Sequence, residues 1–451
     1  MWLFYLFAAL LLCQSLLSLR GGFRYLKYFR RELERPPADY APHATVFVPC
    51  RGTDQDLREN LDALFRQDYP AYELIFVTDD ARDPSLKIVE AAIFGFALEA
   101  ATLSGSRAQD ESCASETVST KEVDPSHASA RLVPPRVSAR IVIAGRAEGC
   151  GQKVHNLRVA VGCADATSRI FVFVDTDART RRDWLRSLVA PLADDAHGAT
   201  TGYRWFLPAR VRLAPTLRAV WNASIASALG DDARRNFCWG GSTAIRRETF
   251  DQLKMLDEWR GALSDDYAMT RALARARLPI KFVPACLNVS REDCTWRELF
   301  EFTTRQLKIT RVYAPRLWLL VLASNLIFCS VFFTGILLII ARALRGESFA
   351  LSLLLITAVF ILGALKSHLR LRAVNLVLAR EGARARGIAH FTLWTLTSAI
   401  FLWNALAAAL SRRITWRGIS YELKSPTETV IIARDDTDAA NSVASARSSH
   451  D

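Results

Sequence analysis

Residues 170–177 read I-F-V-F-V-D-T-D: five apolar residues, mostly β-branched or aromatic, run straight into two carboxylates one residue apart. A run of that kind is a strand buried on both faces, and such strands belong to parallel sheets covered by helices. Asp175 and Asp177 then stand at the strand's carboxyl end, where open α/β sheets bind their ligands. Two carboxylates there suit a hard divalent cation, Mg2+ or Mn2+, that takes phosphate oxygens as its remaining ligands. Acids at strand ends also form turns and cap helices, so on this motif alone both readings stand.

The pattern on either side alternates. Residues 45–49 (T-V-F-V-P) read as a strand, residues 55–66 as a helix with Leu57, Leu61, Leu64 and Phe65 on one face, and residues 73–77 (E-L-I-F-V) as a second strand. Thr78, Asp79 and Asp80 close that strand, and Pro84 opens a helix to about Leu98. Strands alternating with helices of this length predict βαβ units, an α/β fold on a parallel sheet. Residues 101–139, rich in Ser, Ala, Glu and Thr, interrupt the rhythm and read as a disordered insertion.

The rhythm resumes with a strand at 140–144, G-Q-K-V-H-N-L at 151–157 leading into a helix, the 170 strand, and a further strand at 198–206. A helical stretch at 215–229 precedes F-C-W-G-G-S-T-A-I at 237–245. The paired Gly240 and Gly241 predict either a tight turn or backbone lying close to a ligand or another strand. Ser264, Asp265 and Asp266 precede a helical run at 268–276. Ser264 or Asp265 reads as its N-cap, and Asp266 as the better candidate for chemistry, with capping the simpler role.

Apolar runs bound this domain. Residues 1–19 are apolar but for Gln14, Ser15 and Ser18, and about 19 residues of helix cross a bilayer's hydrocarbon core. No basic residue precedes the run and no A-x-A site follows it, so it reads as an anchor rather than a cleaved signal. Residues 317–340, 349–365 and 391–410 are further apolar runs and contain no charge. Between the last two, residues 367–387 carry Arg370, Arg372, Arg380, Arg384 and Arg386 and read as interfacial. Residues 296–316 interleave aromatics and aliphatics with Arg305, Lys308 and Arg311, as in a helix at the membrane interface or one facing a diphosphate.

The chain is 451 residues long, 51% hydrophobic, with a net charge of +12. Nucleic acid and a membrane surface are the two usual partners of such a basic excess, and its placement selects the membrane. Arg20, Arg24, Lys27, Arg30, Arg31 and Arg35 follow the first apolar run, while Arg412, Arg413 and Arg417 follow the last. Bases packed against apolar spans mark cytoplasmic flanks, which puts the catalytic domain on the cytoplasmic face. Four spans counted from an outside N-terminus would put the last basic cluster outside, a conflict that a re-entrant segment would remove. The nine cysteines form no C-x-x-C pair, which excludes a disulfide or zinc framework and fits the reducing cytosol.

Taken together, V-T-D-D-A-R-D-P (77–84), G-Q-K-V-H-N-L (151–157), V-D-T-D (174–177), G-G-S-T-A-I-R-R (240–247), S-D-D-Y (264–267), R-Q-L-K-I-T-R (305–311) and R-I-T-W-R-G-I-S-Y-E-L (413–423) carry a resemblance. Over residues 45–423 the chain resembles membrane-bound glycosyltransferase family 2 enzymes and their relatives, the ceramide glucosyltransferases. The resemblance implies a nucleotide-sugar-binding catalytic domain at 43–295, an interfacial helix at 296–316, a membrane region at 317–410, and a basic segment with a disordered tail at 411–451. It implies that Asp79 contacts the nucleotide, that Lys153 and Asn156 belong to a sugar-nucleotide-binding turn, and that Asp175 and Asp177 bind metal. Asp266 matches the base that deprotonates an acceptor hydroxyl in an inverting transfer, while Arg305, Lys308 or Arg311 would neutralise the diphosphate.

The family's late motif is usually Q/R-x-x-R-W; here Arg305 and Lys308 are followed by Ile309. That departure points away from a polymer-extending synthase and towards single transfer from a nucleotide diphosphate donor, expected to be UDP-linked, to a lipid. A polyisoprenyl-phosphate glycosyltransferase and a non-catalytic transporter or scaffold are the rivals; charges inside the spans would favour transport.

Overall fold

In the computed structural model, which describes residues 2–54, 56–113, 136–385 and 387–435, the alternation becomes a single sheet with helices on both faces. The chain enters through α1 (Trp2–Glu34), one continuous helix in which the basic stretch after Leu19 prolongs the anchor. It is followed by β1 (Ala44–Pro49), α2 (Leu57–Phe65), β2 (Ala71–Thr78), α3 (Ser85–Cys113), β3 (Arg136–Ile143), α4 (Gln152–Gly162) and β4 (Ile170–Phe173). The insertion expected at 101–139 is narrower than predicted, because α3 and β3 extend into it; residues 114–135 lie outside the described residues.

Next come α5 (Trp184–Val189), β5 (Ala199–Phe206), α6 (Leu213–Ala226), β6 (Thr243–Arg246), α7 (Arg247–Gln252), α8 (Met255–Glu258), α9 (Asp265–Arg275) and β7 (Ile280–Ser290). The seven strands lie in the order β3-β2-β1-β4-β6-β5-β7. Strands β1 to β4 are mutually parallel, but β6 runs antiparallel to both β4 and β5, so the sheet is mixed rather than purely parallel. Strand β7 escapes a reading by pattern because Pro284 stands inside it; among the named strands of the described residues it pairs with β5 alone, at the sheet's edge, where a missing N–H is tolerated.

Successive side chains of a strand point to opposite faces, which explains why the central strands are apolar throughout. Val46, Val48, Leu74, Phe76 and Val172 pack under α2 and α5, while Phe47, Ile75, Val77, Phe171 and Phe173 pack under α4 and α9. On the second face Phe47, Phe171, Phe173, Phe250 and Trp259 form a chain of ring contacts with centroids 5.3 to 6.2 Å apart. Truncating one such buried ring to alanine costs roughly 3–5 kcal/mol.

The membrane part is built from α10 (Trp296–Tyr313), α11 (Pro315–Leu344), α12 (Ala350–Leu378), α13 (Gly387–Thr392) and α14 (Trp394–Leu410). Among the described residues three helices are long and apolar enough to cross a bilayer: α1, α11 and α12. Two expectations change here. Helix α12 does not stop near Leu365 but continues unbroken to Leu378, so that Lys366 and Arg370 belong to the same helix as the apolar run. Helix α14, with 17 residues, begins later than the run expected at 391–410, because Phe391 and Thr392 belong to α13, and its length stands at the short end of the range of about 17–25 residues for a span.

Helix α14 starts with Trp394 against Phe328, Phe332 and Gly363, near the middles of α11 and α12, and ends where Ala408 O accepts a bond from Arg311 of α10.

The segment after it, expected to be a basic stretch and tail, folds into a three-stranded antiparallel sheet: β8 (Arg413–Trp416), β9 (Ile419–Ser425) and β10 (Glu428–Arg434). This sheet docks on the α/β domain, where Arg434 donates to Ala147 O at 2.7 Å and to Gln152 Oε1 at 2.9 Å. The remainder of the expected tail, residues 436–451, lies outside the described residues.

Candidate active site

Strand order reverses between β1 and β4, and a crevice opens above their carboxyl ends at such a switch point. The loop after β1 brings Arg51 and Asp54 there, and the loop after β4 brings Asp175, Thr176 and Asp177. The start of α9 adds Asp265 and Asp266, and α10 adds Arg305. All of these line one cavity of about 1270 Å3 that continues between the apolar helices past Leu11, Phe328, Leu362 and Trp394.

The two acids of the D-x-D are each met by a base. Lys153 Nζ lies 2.7 Å from Asp175 and 3.3 Å from Asp265, while Arg204 of β5 lies 2.6 Å from Asp177 and 3.9 Å from Asp175. Burial pushes the Asp177 carboxyl up to about 6, with Arg204 offsetting part of the rise and Asp175 adding to it. For Asp175 burial acts the same way, but Lys153 and Arg204 outweigh it and hold the group below the usual carboxylate range. Burial would favour a neutral Lys153, yet Asp175, Asp265 and Asp266 raise its affinity for the proton. Burial likewise pushes Asp265 up to about 6 against the pull of Lys153.

Asp175 and Asp177 can hold a hard divalent cation: both are oxygen donors on the wall of the polar cavity, and their charge is balanced at present by Lys153 and Arg204. Among the described residues no cluster of three or more His, Cys, Asp or Glu side chains forms a complete metal cage, so further ligands would have to come from a bound molecule or water. Magnesium-type sites are commonly built this way, from one or two carboxylates plus substrate phosphates.

Helix α9 is capped as the sequence predicted for Ser264, whose hydroxyl accepts from Tyr267 N. Asp266, in the first turn, accepts from Tyr267 N at 2.7 Å, from Gly240 N at 3.3 Å and from the Ser264 hydroxyl. The glycine pair explains itself at this point. A Cβ on Gly240 would lie 2.6 Å from Asp265 Oδ2 and 2.7 Å from Lys153 Nζ, so backbone must pass there without a side chain.

The other expected residues divide. Asn156 lines the cavity and accepts a bond of 2.8 Å from Gln152, while Asp79 stands behind it, paired with Arg51. Of the three bases on α10 only Arg305 lines the cavity, stacked at 5.6 Å on Trp416 of β8. Lys308 turns to Arg413 O at 2.7 Å and Arg311 to Ala408 O, both outside the cavity.

Five participants, Arg51, Asp54, Arg204, Asp265 and Arg417, were given no role in the site by the sequence reading. Asp54 accepts from Thr176 Oγ1 at 2.8 Å and pairs with Arg417 at 2.5 Å, while Arg51 Nε donates to Arg417 O at 3.0 Å. Arg204 was detectable as a lone charge within an otherwise buried strand. Asp54 follows a strand end, where an acid is a candidate ligand. Asp265 was read only as a cap, yet it is buried against Lys153. Arg417 was read only as part of the last basic cluster and of the motif at 413–423.

A sheet of this order gathers carboxylates and bases at its switch point, over a cavity that runs between apolar helices. The chain matches glycosyl transferase family 21 over residues 3–110 and 130–429, and it belongs to that family. It is therefore a glycosyltransferase.

The chain is similar to a curated ceramide glucosyltransferase from Komagataella phaffii, 28% identical over 78 residues, a match that spans 17% of this chain and 15% of that enzyme. Among solved structures it is similar to a mannosyltransferase from Pyrobaculum calidifontis in complex with GDP-Man and Mn2+, with 18% identity, a TM-score of 0.42 and coverage of 90% of this chain and 98% of that one. It is also similar to glucosyl-3-phosphoglycerate synthase from Mycobacterium tuberculosis, with 13% identity, a TM-score of 0.32 and coverage of 60% and 79%.

Proposed function

We propose that this glycosyltransferase moves one sugar from a nucleotide diphosphate, UDP-linked, to the hydroxyl of a lipid, with inversion at the anomeric carbon and with its catalytic domain on the cytoplasmic face. The observation that carries the reading is the continuity of the cavity: Asp175, Asp177 and Asp266 line its polar part, and Leu11, Phe328 and Trp394 line the part between the apolar helices. A water-borne donor and a bilayer-borne acceptor need such a two-ended site.

In this reading Asp266 accepts the acceptor's proton as the hydroxyl oxygen bonds to the anomeric carbon and the bond to the diphosphate breaks, the electron pair leaving with the diphosphate. The backbone N–H groups of Gly240 and Tyr267 fix the carboxylate's direction. Arg305 and Arg417, both on the cavity wall, stabilise the charge that develops on the leaving group. Asn156 and the Arg51–Asp79 pair belong to the nucleotide side of the site. A divalent Mg2+ or Mn2+ held by Asp175 and Asp177 would supply a Lewis acid for the phosphate oxygens. Lys308 and Arg311 tie α10 to the strand and helix beside it rather than serving the diphosphate.

The test is Asp266→Asn assayed with lipid extracts and UDP-sugars. Turnover should fall on the order of 10²–10⁴-fold while donor binding is unchanged. A variant that turns over normally would mean that the acceptor brings no proton to remove, as with a polyisoprenyl phosphate, and would overturn the hydroxyl-acceptor reading.

A further inference from the structure

The part of the cavity that runs between the helices offers hydrogen-bond donors and no acid. Gly363, Lys366, Ser367 and Arg370 follow one another at helical spacing on the face of α12 that lines the cavity. Trp394 of α14 lies against Gly363, where a Cβ would come within 2.3 Å of its ring. Lys366 Nζ donates to Ser18 Oγ of α1 at 2.6 Å, and Arg370 Nη2 donates to Ser367 Oγ at 3.3 Å. Arg370 Nε and the indole N–H of Trp394 are buried without a partner. Among the described residues neither cation is paired with a carboxylate, and none of the cavity-lining residues from α1, α11, α12 and α14 is Asp or Glu.

Lysine, arginine and an indole N–H can only donate, so the group that completes this wall is an acceptor, and leaving such donors unmet is costly. Two features say which kind. Lys366 meets Ser18 at the end of the apolar run of α1, just before Arg20 and Arg24, which is the level where a bilayer's hydrocarbon gives way to its headgroups. Lipids carry at that level the carbonyls that join their chains to the head. The same cavity is also lined by Asp175, Asp177, Asp265 and Asp266 and receives a diphosphate in the proposed reaction. A neutral oxygen meets the donors without adding negative charge to that confined space, whereas an ammonium would face two cations and no acid. Tyr203 is within electrostatic reach of both Asp266 and Tyr25, and Tyr25 of Arg370, which sets the donors a few side chains from the proposed base.

We infer that Lys366, Arg370 and Trp394 form a subsite for the neck of the acceptor lipid. They donate hydrogen bonds to an uncharged carbonyl oxygen, as in an amide, that lies between the lipid's chains and its reacting hydroxyl, and they exclude lipids with an ammonium in its place. The inference rests on the reading of the cavity as the approach of a lipid hydroxyl, and deepens it by naming what selects the lipid.

The experiment measures binding to the full chain in a neutral detergent, read by native mass spectrometry. Three probes share a ten-carbon primary alcohol and differ at its second carbon, which bears an octanoyl amide, an octyl ether or an octyl amine. The wild type should hold the amide at least about tenfold more tightly than the ether, and the amine, cationic at neutral pH, least of all. The pair Lys366→Met and Arg370→Met should bring all three to within about twofold of one another, and the charge-keeping pair Lys366→Arg and Arg370→Lys should retain the wild-type order. Trp394→Phe keeps a ring against Gly363 and removes only the N–H; it should lower the amide-to-ether ratio about three- to tenfold, and it carries the test if the methionine pair does not fold. Equal binding of amide and ether by the wild type overturns the subsite and leaves the lipid-acceptor reading standing, while binding of none of the three overturns both. An amide preference unchanged in the methionine pair and in Trp394→Phe overturns the assignment to these residues, and an amine held as tightly as the amide overturns the exclusion.

Discussion

At the scale of single residues the site is a balance of charges in a confined space. Lys153 and Arg204 face Asp175, Asp177 and Asp265, and every group in that set is constrained by the others. The lack of a side chain at Gly240 is what lets Lys153 and Asp265 meet. Gly240→Ala should therefore leave the fold intact, as judged by melting, and lower kcat/KM by about 10²-fold, because a displacement near 1 Å at reacting groups costs that much. An alanine variant of full activity would show that the close packing there is not needed. Metal dependence is a second prediction at this scale. Chelation should abolish transfer and added Mn2+ or Mg2+ restore it, while Asp177→Asn should raise the metal concentration needed by at least about tenfold; activity indifferent to chelators would sink the assignment. Residues of this kind were legible in the sequence wherever a motif combined unusual residues with a strand or helix end, as in V-D-T-D and S-D-D-Y. Arg204 and Asp54 offered only a charge within a buried strand and an acid after a strand end, signals that acquire meaning from what faces them.

Among elements, the C-terminal sheet decides how the donor side is closed. The β8–β9 turn consists of Arg417 and Gly418, both with positive φ, at 51° and 73°. A two-residue hairpin turn with positive φ at both positions favours Asn-Gly, and an arginine there carries a conformational cost of order 1–3 kcal/mol. Its retention fits the work of its side chain, which reaches Asp54 and the cavity wall. Arg417→Asn suits the turn better and should melt no lower than the wild type, yet donor affinity should drop about 10- to 100-fold. Unchanged affinity in titrations with UDP-sugar would reduce Arg417 to a clasp between the sheet and the domain. Sequence pattern missed these strands because they are short and rich in charge: β8 has four residues and alternates Arg413 with Thr415 on its more exposed face. By contrast α10 was expected at 296–316 and is observed as Trp296–Tyr313, because Thr295 and Glu298 form a reciprocal capping box and Pro315 opens the next helix.

For the whole molecule, the proposed cytoplasmic catalytic domain and the long apolar helices together predict which parts would share a side of a membrane. Among the described residues α1, α11 and α12 are long and apolar enough to cross a bilayer, α14 packs between α10, α11 and α12, and the C-terminal sheet rests against the α/β domain. A cysteine at Ser348, in the turn between α11 and α12, should accordingly react with an impermeant maleimide added to intact cells, whereas one at Glu428 in β10 should react only after permeabilisation. Labelling of both from outside would refute the topology. The sequence by itself determined the α/β class, the anchor, the family and the acids at strand and helix ends, because these follow from local periodicity and from short motifs whose meaning does not depend on distant partners. Tertiary structure alone decided that β6 turns the sheet mixed, that α12 carries Lys366 and Arg370 on the same helix as its apolar run, that Arg305 faces the cavity while Lys308 and Arg311 do not, and that Arg417 returns to Asp54 across more than 360 positions of chain. Those outcomes depend on which surfaces are buried against which, a property of contacts between residues far apart in sequence that no local window contains.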